Sequence, residues 1–274
     1  GSKANLWEQS MLLRRITKHV TDQNWFAVFI DFLIVVVGVF IGIQVANWNQ
    51  TQQDQQEQLV ILELLESDIQ SDIKLIESTT GFQKLIKADY LFCLDVLARK
   101  IDAPKSEFDK RFASLITLPS FTQKRTSFEN LVSSGKLELI ESQTLTNQLI
   151  TYYNHGYDGW NTAMKDYTRN IIAPFLMEFD YIQLPNNQSD NIKKHIEVNY
   201  GEGLYASNQI DLTQFDIKQK SLEDYRNSLF IINALRYRVL NINGQIDSYK
   251  GLLDLSELLL EKIKLEKLKI SRGK

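Results

Sequence analysis

The feature that most constrains this chain is residues 25–48, WFAVFIDFLIVVVGVFIGIQVANW, an apolar run long enough to cross a membrane as one helix. From Trp25 to Val45 the strongly polar residues are Asp31 and Gln44. At about 1.5 Å of rise per residue the run covers roughly 31 Å, the thickness of a hydrocarbon core. A helix in the middle of a large soluble core is also apolar on every side. Trp25 and Trp48 favour the membrane reading, because indole rings at both ends of an apolar run settle in the two headgroup layers and anchor a span. The first partner expected is therefore the lipid bilayer.

The flanks give the orientation, since Lys and Arg are retained on the cytoplasmic side and acidic residues carry little topological weight. Arg14, Arg15 and Lys18 precede the span, and no further Lys or Arg follows until Lys74. The far flank instead carries Asp54, Glu57, Glu63, Glu66, Asp68 and Asp72. This predicts a cytoplasmic segment over residues 11–24 and an extracytoplasmic location for residues 49–274. A cleaved signal peptide shares the basic start and the apolar middle. A retained anchor is expected instead, because no small-x-small cleavage site follows the run: Gln44 stands two positions before Ala46.

Beyond the span, 274 residues with 43% hydrophobic content leave room for one or two domains, and a net charge of −3 argues against a nucleic-acid partner. Cys93 is the one cysteine, so no intrachain disulfide can form, and its apolar surroundings in YLFCLDVL predict a buried, inert thiol. With 12 Gly and 4 Pro among many Leu, Ile, Lys, Glu and Gln, the composition is helical. The expected fold class is all-α: one N-terminal transmembrane helix continuing as a stalk into an extracytoplasmic helical bundle.

Residues 1–10, GSKANLWEQS, precede a plausible native start at Met11 and read as the remnant of a trimmed expression tag. Residues 11–21 put Leu12, Leu13, Ile16 and Val20 on one face, either an amphipathic helix on the inner leaflet or a plain topology signal. After the span, Leu59, Leu62, Leu65, Ile69, Ile73 and Ile76 recur at three-and-four spacing, which predicts one helix over residues 24–76 ending near Gly81. A second helix fits residues 82–101, with Leu85, Ile86, Leu91, Phe92, Leu94 and Leu97 buried, and a third fits residues 106–118. Thr126 or Ser127 is expected to cap a short helix closing at Ser134-Gly135, and Ser142 to cap the next. These two resemble a helix-turn-helix in geometry only, since residues 143–153 contain no Lys or Arg with which to read DNA.

Tyr152, Tyr153, Tyr157, Trp160 and Tyr167 then follow, interrupted by Gly156 and Gly159, with Pro174 expected to bend the helix. Rings at this spacing are expected as core or interhelix filler. Residues 183–219 read as a long polar loop and a candidate contact surface. A last helix is expected over residues 221–269, started by Ser221 and Asp224 and broken near Gly244 or Gly251. Leu222, Tyr225, Leu229, Ile232, Leu235, Val239, Ile242 and Ile246 would form its seam. The bundle core predicted from these periodicities includes Leu62, Leu65, Ile69, Leu91, Leu94, Phe128, Leu131, Leu145 and Leu149.

Two stretches resemble an uncharacterised family of bacterial single-pass membrane proteins. One is LLRRITKHVTDQNWFAVFIDFLIVVVGVFIGIQVANWNQ, residues 12–50; the other is SFENLVSSGKLELIESQTLTNQLITYY, residues 127–153, with Phe-Glu-x-Leu, Ser-Ser-Gly, Leu-x-Leu-Ile and Tyr-Tyr elements. The chain departs from that pattern at Thr146 and Asn147, where an arginine is expected nearby. The resemblance implies an anchored helical protein; with the orientation read from the flanks, the expected location is the bacterial inner membrane with the bulk of the chain in the periplasm. It implies no activity.

Catalytic constellations are missing from the sequence: there is no Walker A loop, HExxH, GxSxG or CxxC. His19, His155 and His195 have no metal-ligand partner at helical spacing and read as surface or capping residues, and Asp68 and Asp72 read as a solvated helix face. No enzyme activity, cofactor or metal site is expected. Two function classes remain: a membrane-anchored interaction, sensor or scaffold module with an unidentified protein partner, or a subunit of an oligomeric ion- or proton-conducting assembly built around Asp31. At 100° per residue Asp31, Val35, Gly38, Gly42 and Val45 fall within about 40° of one line, so the acid and a GxxxG pair share a face. Small residues let helix backbones approach, and an intramembrane acid turns toward a partner or water, which predicts homo-oligomerisation through this stripe. The alternative is that Asp31, near the Trp25 end, snorkels to the cytoplasmic surface.

Overall fold

The structure, a computed structural model, describes residues 25–180, 190–192, 194 and 218–272. Arg14, Arg15 and Lys18, the amphipathic segment and nearly all of the expected loop over residues 183–219 lie outside the described residues. Among the described residues every regular element is a helix and none is a strand, as the all-α reading requires. The chain divides into two compact units, Gly1–Glu57 and Gln58–Lys274.

The first long helix, α1, runs unbroken over Trp25–Leu97. In the first unit its apolar side chains are exposed all round, and the helix is long and apolar enough to cross a membrane. From Gln58 onward the pattern changes. Leu62, Leu65, Ile69, Asp72, Ile76, Thr79, Gln83, Ile86, Tyr90, Cys93 and Leu97 are buried at alternating spacings of three and four, the seven-residue repeat by which one helix presents a single seam to another. Gly81 does not end the helix as expected. An interior glycine costs about 1 kcal/mol relative to alanine, and the seam residues on both sides of it, Thr79 and Gln83, stay buried in register. Termination comes at Leu97, before the expected Ile101, where Arg99 adopts a left-handed φ of 61° and the Lys100 N–H bonds back to the Asp95 carbonyl at 2.9 Å.

Short helices follow. Helix α2, Lys105–Phe112, leads into a 3-10 turn at Ala113–Ile116, where one helix over residues 106–118 is expected. Helix α3, Thr126–Ser133, has Arg125 at its N-cap and no side-chain cap, so neither Thr126 nor Ser127 has the expected role. Tertiary contacts hold that end instead: the Gln123 N–H donates to the Tyr157 hydroxyl at 3.0 Å and the Lys124 N–H to Asp72 Oδ1 at 3.0 Å. The turn after α3 closes at Gly135 with φ 72°, a conformation natural to glycine. Helix α4, Gln143–Tyr153, is capped by Ser142, whose Oγ accepts the Leu145 N–H at 3.3 Å. Helix α5, Gly159–Tyr167, passes through a π turn at Thr168–Ile172 into α6, Ala173–Phe179. The wider turn lies directly before Pro174, which has no N–H to give to an α-helical ladder.

Helix α7, Leu222–Arg226, opens with the Ser221–Asp224 capping box. The break in the last helical region falls at Asn227–Ser228, not at Gly244 or Gly251, because Ser228 Oγ accepts the Ile231 N–H at 3.3 Å and starts a new helix. That helix, α8, covers Leu229–Arg272 and repeats the seven-residue seam through Ile231, Leu235, Arg238, Ile242, Gln245, Tyr249, Leu252, Ser256, Leu259, Ile263, Glu266 and Ile270. Bonds between α8 and α1 join Arg238 to Tyr90, Gln245 to Gln83 and Lys267 to Glu66. Numbers rise on one helix as they fall on the other, so the two run antiparallel.

Around one part of this pair α2, α6 and α7 gather on Ile86, Tyr90, Phe108, Phe112, Leu176, Tyr225 and Leu235. Around the other, α3 and α4 gather on Leu62, Leu65, Ile69, Phe128, Leu131, Leu145, Leu149, Tyr152 and Leu259. Two expected seam residues are misplaced: Leu91 is 43% exposed and Leu229 71%. Leu91 stands one residue, or 100° of arc, past Tyr90. Leu229 stands two before Ile231. Leu94 packs partly buried against the first cluster.

Candidate functional site

The predicted stripe lies on α1 within the first unit. Asp31, Val35, Gly38, Gly42 and Val45 all belong to the unbroken helix, so the shared face that a 100° step requires is present. Val35 is 63% exposed, and apart from chain neighbours and the helix's own backbone no described atom lies within 4 Å of where a Cβ would stand at Gly38 or Gly42. Trp25 and Trp48 are exposed at the two ends of the apolar run. A helix surface this apolar has no favourable contact with water, and open glycines leave room for a backbone to approach.

A second set of polar groups, unforeseen in the sequence, is buried between the helices of the second unit. Gln83 Nε2 donates to Gln245 Oε1 at 3.1 Å, and Gln245 Nε2 donates to Asn161 Oδ1 at 2.6 Å. The Tyr249 hydroxyl donates to the same Asn161 oxygen at 2.7 Å and accepts the Phe121 N–H at 3.0 Å. Gln83, Asn161, Gln245 and Tyr249 are all fully buried, so α1, α5 and α8 are tied together by one amide and phenol chain.

Asp72 corrects the reading of a solvated acidic face: it is fully buried. Its Oδ1 accepts the Lys124 N–H at 3.0 Å and its Oδ2 accepts the Tyr152 hydroxyl at 2.8 Å. Burial pushes its carboxyl above the ordinary 3.8, and nearby Asp68 pushes the same way against the two hydrogen bonds. Burial likewise pushes the Tyr152 phenol up, with Asp72 adding to it.

Arg238 is buried completely. Its Nη2 donates to the Tyr90 hydroxyl at 2.9 Å and to the Thr117 carbonyl, while Nη1 finds no hydrogen-bond partner among the described residues. The Tyr90 hydroxyl donates in turn to the Ser114 carbonyl at 2.8 Å. A guanidinium held by a phenol and a carbonyl is an expensive element of a core, and it is strongly destabilising to disturb.

The aromatic run behaves as filler. Tyr152 and Tyr153 are buried, and the Tyr153 ring stacks on Phe128 at 4.2 Å between centroids. Trp160 lies over α8 at Gly244, where a Cβ would overlap the indole. Cys93 is buried with Sγ 3.9 Å from the Phe108 carbonyl, and burial pushes its thiol well above the ordinary value, an unreactive environment. His155 is partly buried, with Nδ1 enclosed and lacking a hydrogen-bond partner among the described residues, whereas His19 and His195 lie outside the described residues.

The profile of a family of unknown function, DUF6090, matches residues 31–200. The chain belongs to that family. No curated protein and no solved structure matches it. The DUF6090 match begins at Asp31 and so takes in the whole stripe from Asp31 to Val45, together with Asp72, Gln83, Tyr152 and Asn161. Arg238, Gln245 and Tyr249, which complete the buried polar contacts from α8, lie beyond the DUF6090 region.

Proposed function

We propose that this chain is a single-pass anchored interaction module of the bacterial inner membrane, with Arg14, Arg15 and Lys18 in the cytoplasm and residues 49–274 in the periplasm. Residues 25–48 are the anchor, and the helical unit Gln58–Lys274 is the part that meets a protein partner as scaffold or sensor. Copies associate through the face of Asp31, Val35, Gly38, Gly42 and Val45. The observation that carries this reading is the contrast in exposure: the first unit displays its most apolar surface, while the second buries even amides and a guanidinium. Such a surface is stable in lipid or against another chain.

Mass photometry of detergent-extracted protein tests the association. Gly38→Ile should reduce the oligomer to monomers, while Gly38→Ala should be mild and Asp31→Asn should keep the assembly. If Gly38→Ile and Asp31→Leu both leave the oligomeric mass unchanged, the span is only a tether. Orientation is checked with Gln55→Cys and a membrane-impermeant maleimide, which should label before the inner membrane is broken. Asp31 sharing a line with both glycines favours one second reading, in which the assembled spans conduct ions. Flux into liposomes that Asp31→Asn abolishes would establish it.

A further inference from the structure

Two glycines inside the long helices of the second unit differ in what surrounds them. Gly244 on α8 is closely covered by the Trp160 indole, so packing accounts for it. Gly81 on α1 is exposed, and apart from chain neighbours and the helix's own backbone no described atom lies within 4 Å of where its Cβ would stand. At Gly81 there is instead a cleft of about 410 Å³ between α1 and α8. That volume lies within the range of roughly 300 to 1,000 Å³ typical of small-molecule sites.

The cleft's apolar floor presents the half-buried Ile246 and Leu253 and is backed by the buried Ile76 and Tyr249. Ile76 and Tyr249 are fixed in the buried seam, so the floor is preformed. Lys84 and Lys250 stand at its edge with Glu77. None of these three forms a hydrogen bond or ion pair with a described residue. Elsewhere on the same helix pair a lysine is paired: Lys267 contacts Glu66 at 2.9 Å and Glu63 at 3.7 Å.

We infer that this cleft binds an amphipathic monoanion, a single acyl chain ending in one carboxylate. The chain lies on Ile246 and Leu253, and the two ammonium groups hold the carboxylate. Glu77 sets the charge limit. Two cations against one acid leave a single positive charge at the edge, which one carboxylate neutralises and a dianion exceeds. The Gly81 hydrogen is what keeps the hollow open, because a side chain there would occupy the space the acyl chain takes.

The test uses the full chain in lipid nanodiscs with octanoate as probe. Lysine acetylation rates are read site by site by mass spectrometry. Octanoate should slow Lys84 and Lys250 several-fold and leave Lys262 and Lys264 unchanged, whereas octylammonium should protect none of them. Gly81→Leu should remove the protection while helical circular dichroism and Tm persist. Leu253→Trp fills the same hollow from α8 and carries the test if Gly81→Leu does not fold. Equal slowing of all four lysines, equal protection by octylammonium, or protection that survives both filling variants would overturn the assignment. So would Lys84 and Lys250 slowing with protein concentration alone, since a second copy would then be the occupant.

Discussion

Within the one helix α1, residues 25–48 and residues 58–97 follow opposite rules. The first stretch is apolar on every side and exposed; the second buries one row at a seven-residue repeat, with Phe82, Asp89 and Val96 beside it, and turns its other side to solvent. Both are equally helical, so backbone preference does not separate them. The difference teaches that the period of the apolar pattern, not its helicity, states which surroundings a helix is made for.

The sharpest way to break that contrast is to mutate neighbours in the second stretch. Leu62 is fully buried and Leu64 is 54% exposed. Leu62→Ala should cost about 2 to 5 kcal/mol of unfolding free energy while Leu64→Ala stays within roughly 0.5 kcal/mol, measured by thermal or denaturant unfolding. In the first stretch the face should hardly matter: Val36→Lys and Val37→Lys should each cost about 2.5 to 3.5 kcal/mol in an insertion assay. A large difference between them would show that one side of the span is already shielded.

A smaller effect separates the two glycines of the second unit. Gly244→Ala forces a Cβ into the Trp160 ring and should destabilise by about 1 to 3 kcal/mol. Gly81→Ala meets nothing and should stabilise by about 1 kcal/mol, because alanine loses less freedom in a helix. Equal effects of the same sign would mean that the packing around these two positions is not as described.

The smallest expected effect is a dependence on pH. Burial raises the Asp72 carboxyl above its ordinary 3.8, opposed by the Lys124 N–H and the Tyr152 hydroxyl and supported by Asp68. The folded state therefore holds the proton more tightly than the unfolded chain. The resulting stability is complete below the ordinary value and is lost as pH rises through the raised one. Asp72→Asn does not titrate, so the stability of the wild type relative to this variant should fall over that rise. Tm measured across the acid range reads it, and a constant difference would mean that Asp72 does not titrate with folding.

Much of the fold was legible because its signals are local. Leu62, Leu65 and Ile69 announce their row by spacing, Ser142 and the Ser221–Asp224 pair announce helix starts, and Gly135 announces a turn. The core tolerates something no local signal announces, a polar residue on the buried row. Asp72 lies three residues after Ile69 and four before Ile76, on the row itself, yet its burial depends on Tyr152 and the Lys124 N–H, far along the sequence. Gln83 likewise depends on Gln245, and Arg238 on Tyr90. Gly81 was misread as an end for the complementary reason, because contacts on both sides of it outweigh one glycine's intrinsic cost. The stripe at Asp31 was legible as a face, since a face is a property of one helix.

The polar contacts along the α1–α8 seam also act as an address. Mostly apolar rows pack nearly as well after one helix slides past the other by a full repeat, so greasy packing alone tolerates several alignments. Arg238 does not. Shifted by seven residues it would leave the Tyr90 phenol for an apolar or amide neighbour and strand its charge, and Gln245 would lose both Gln83 and Asn161 in the same step. The two long helices come together only after the intervening chain has been made, and these chemically distinct notches leave them one position in which every tooth meets its slot.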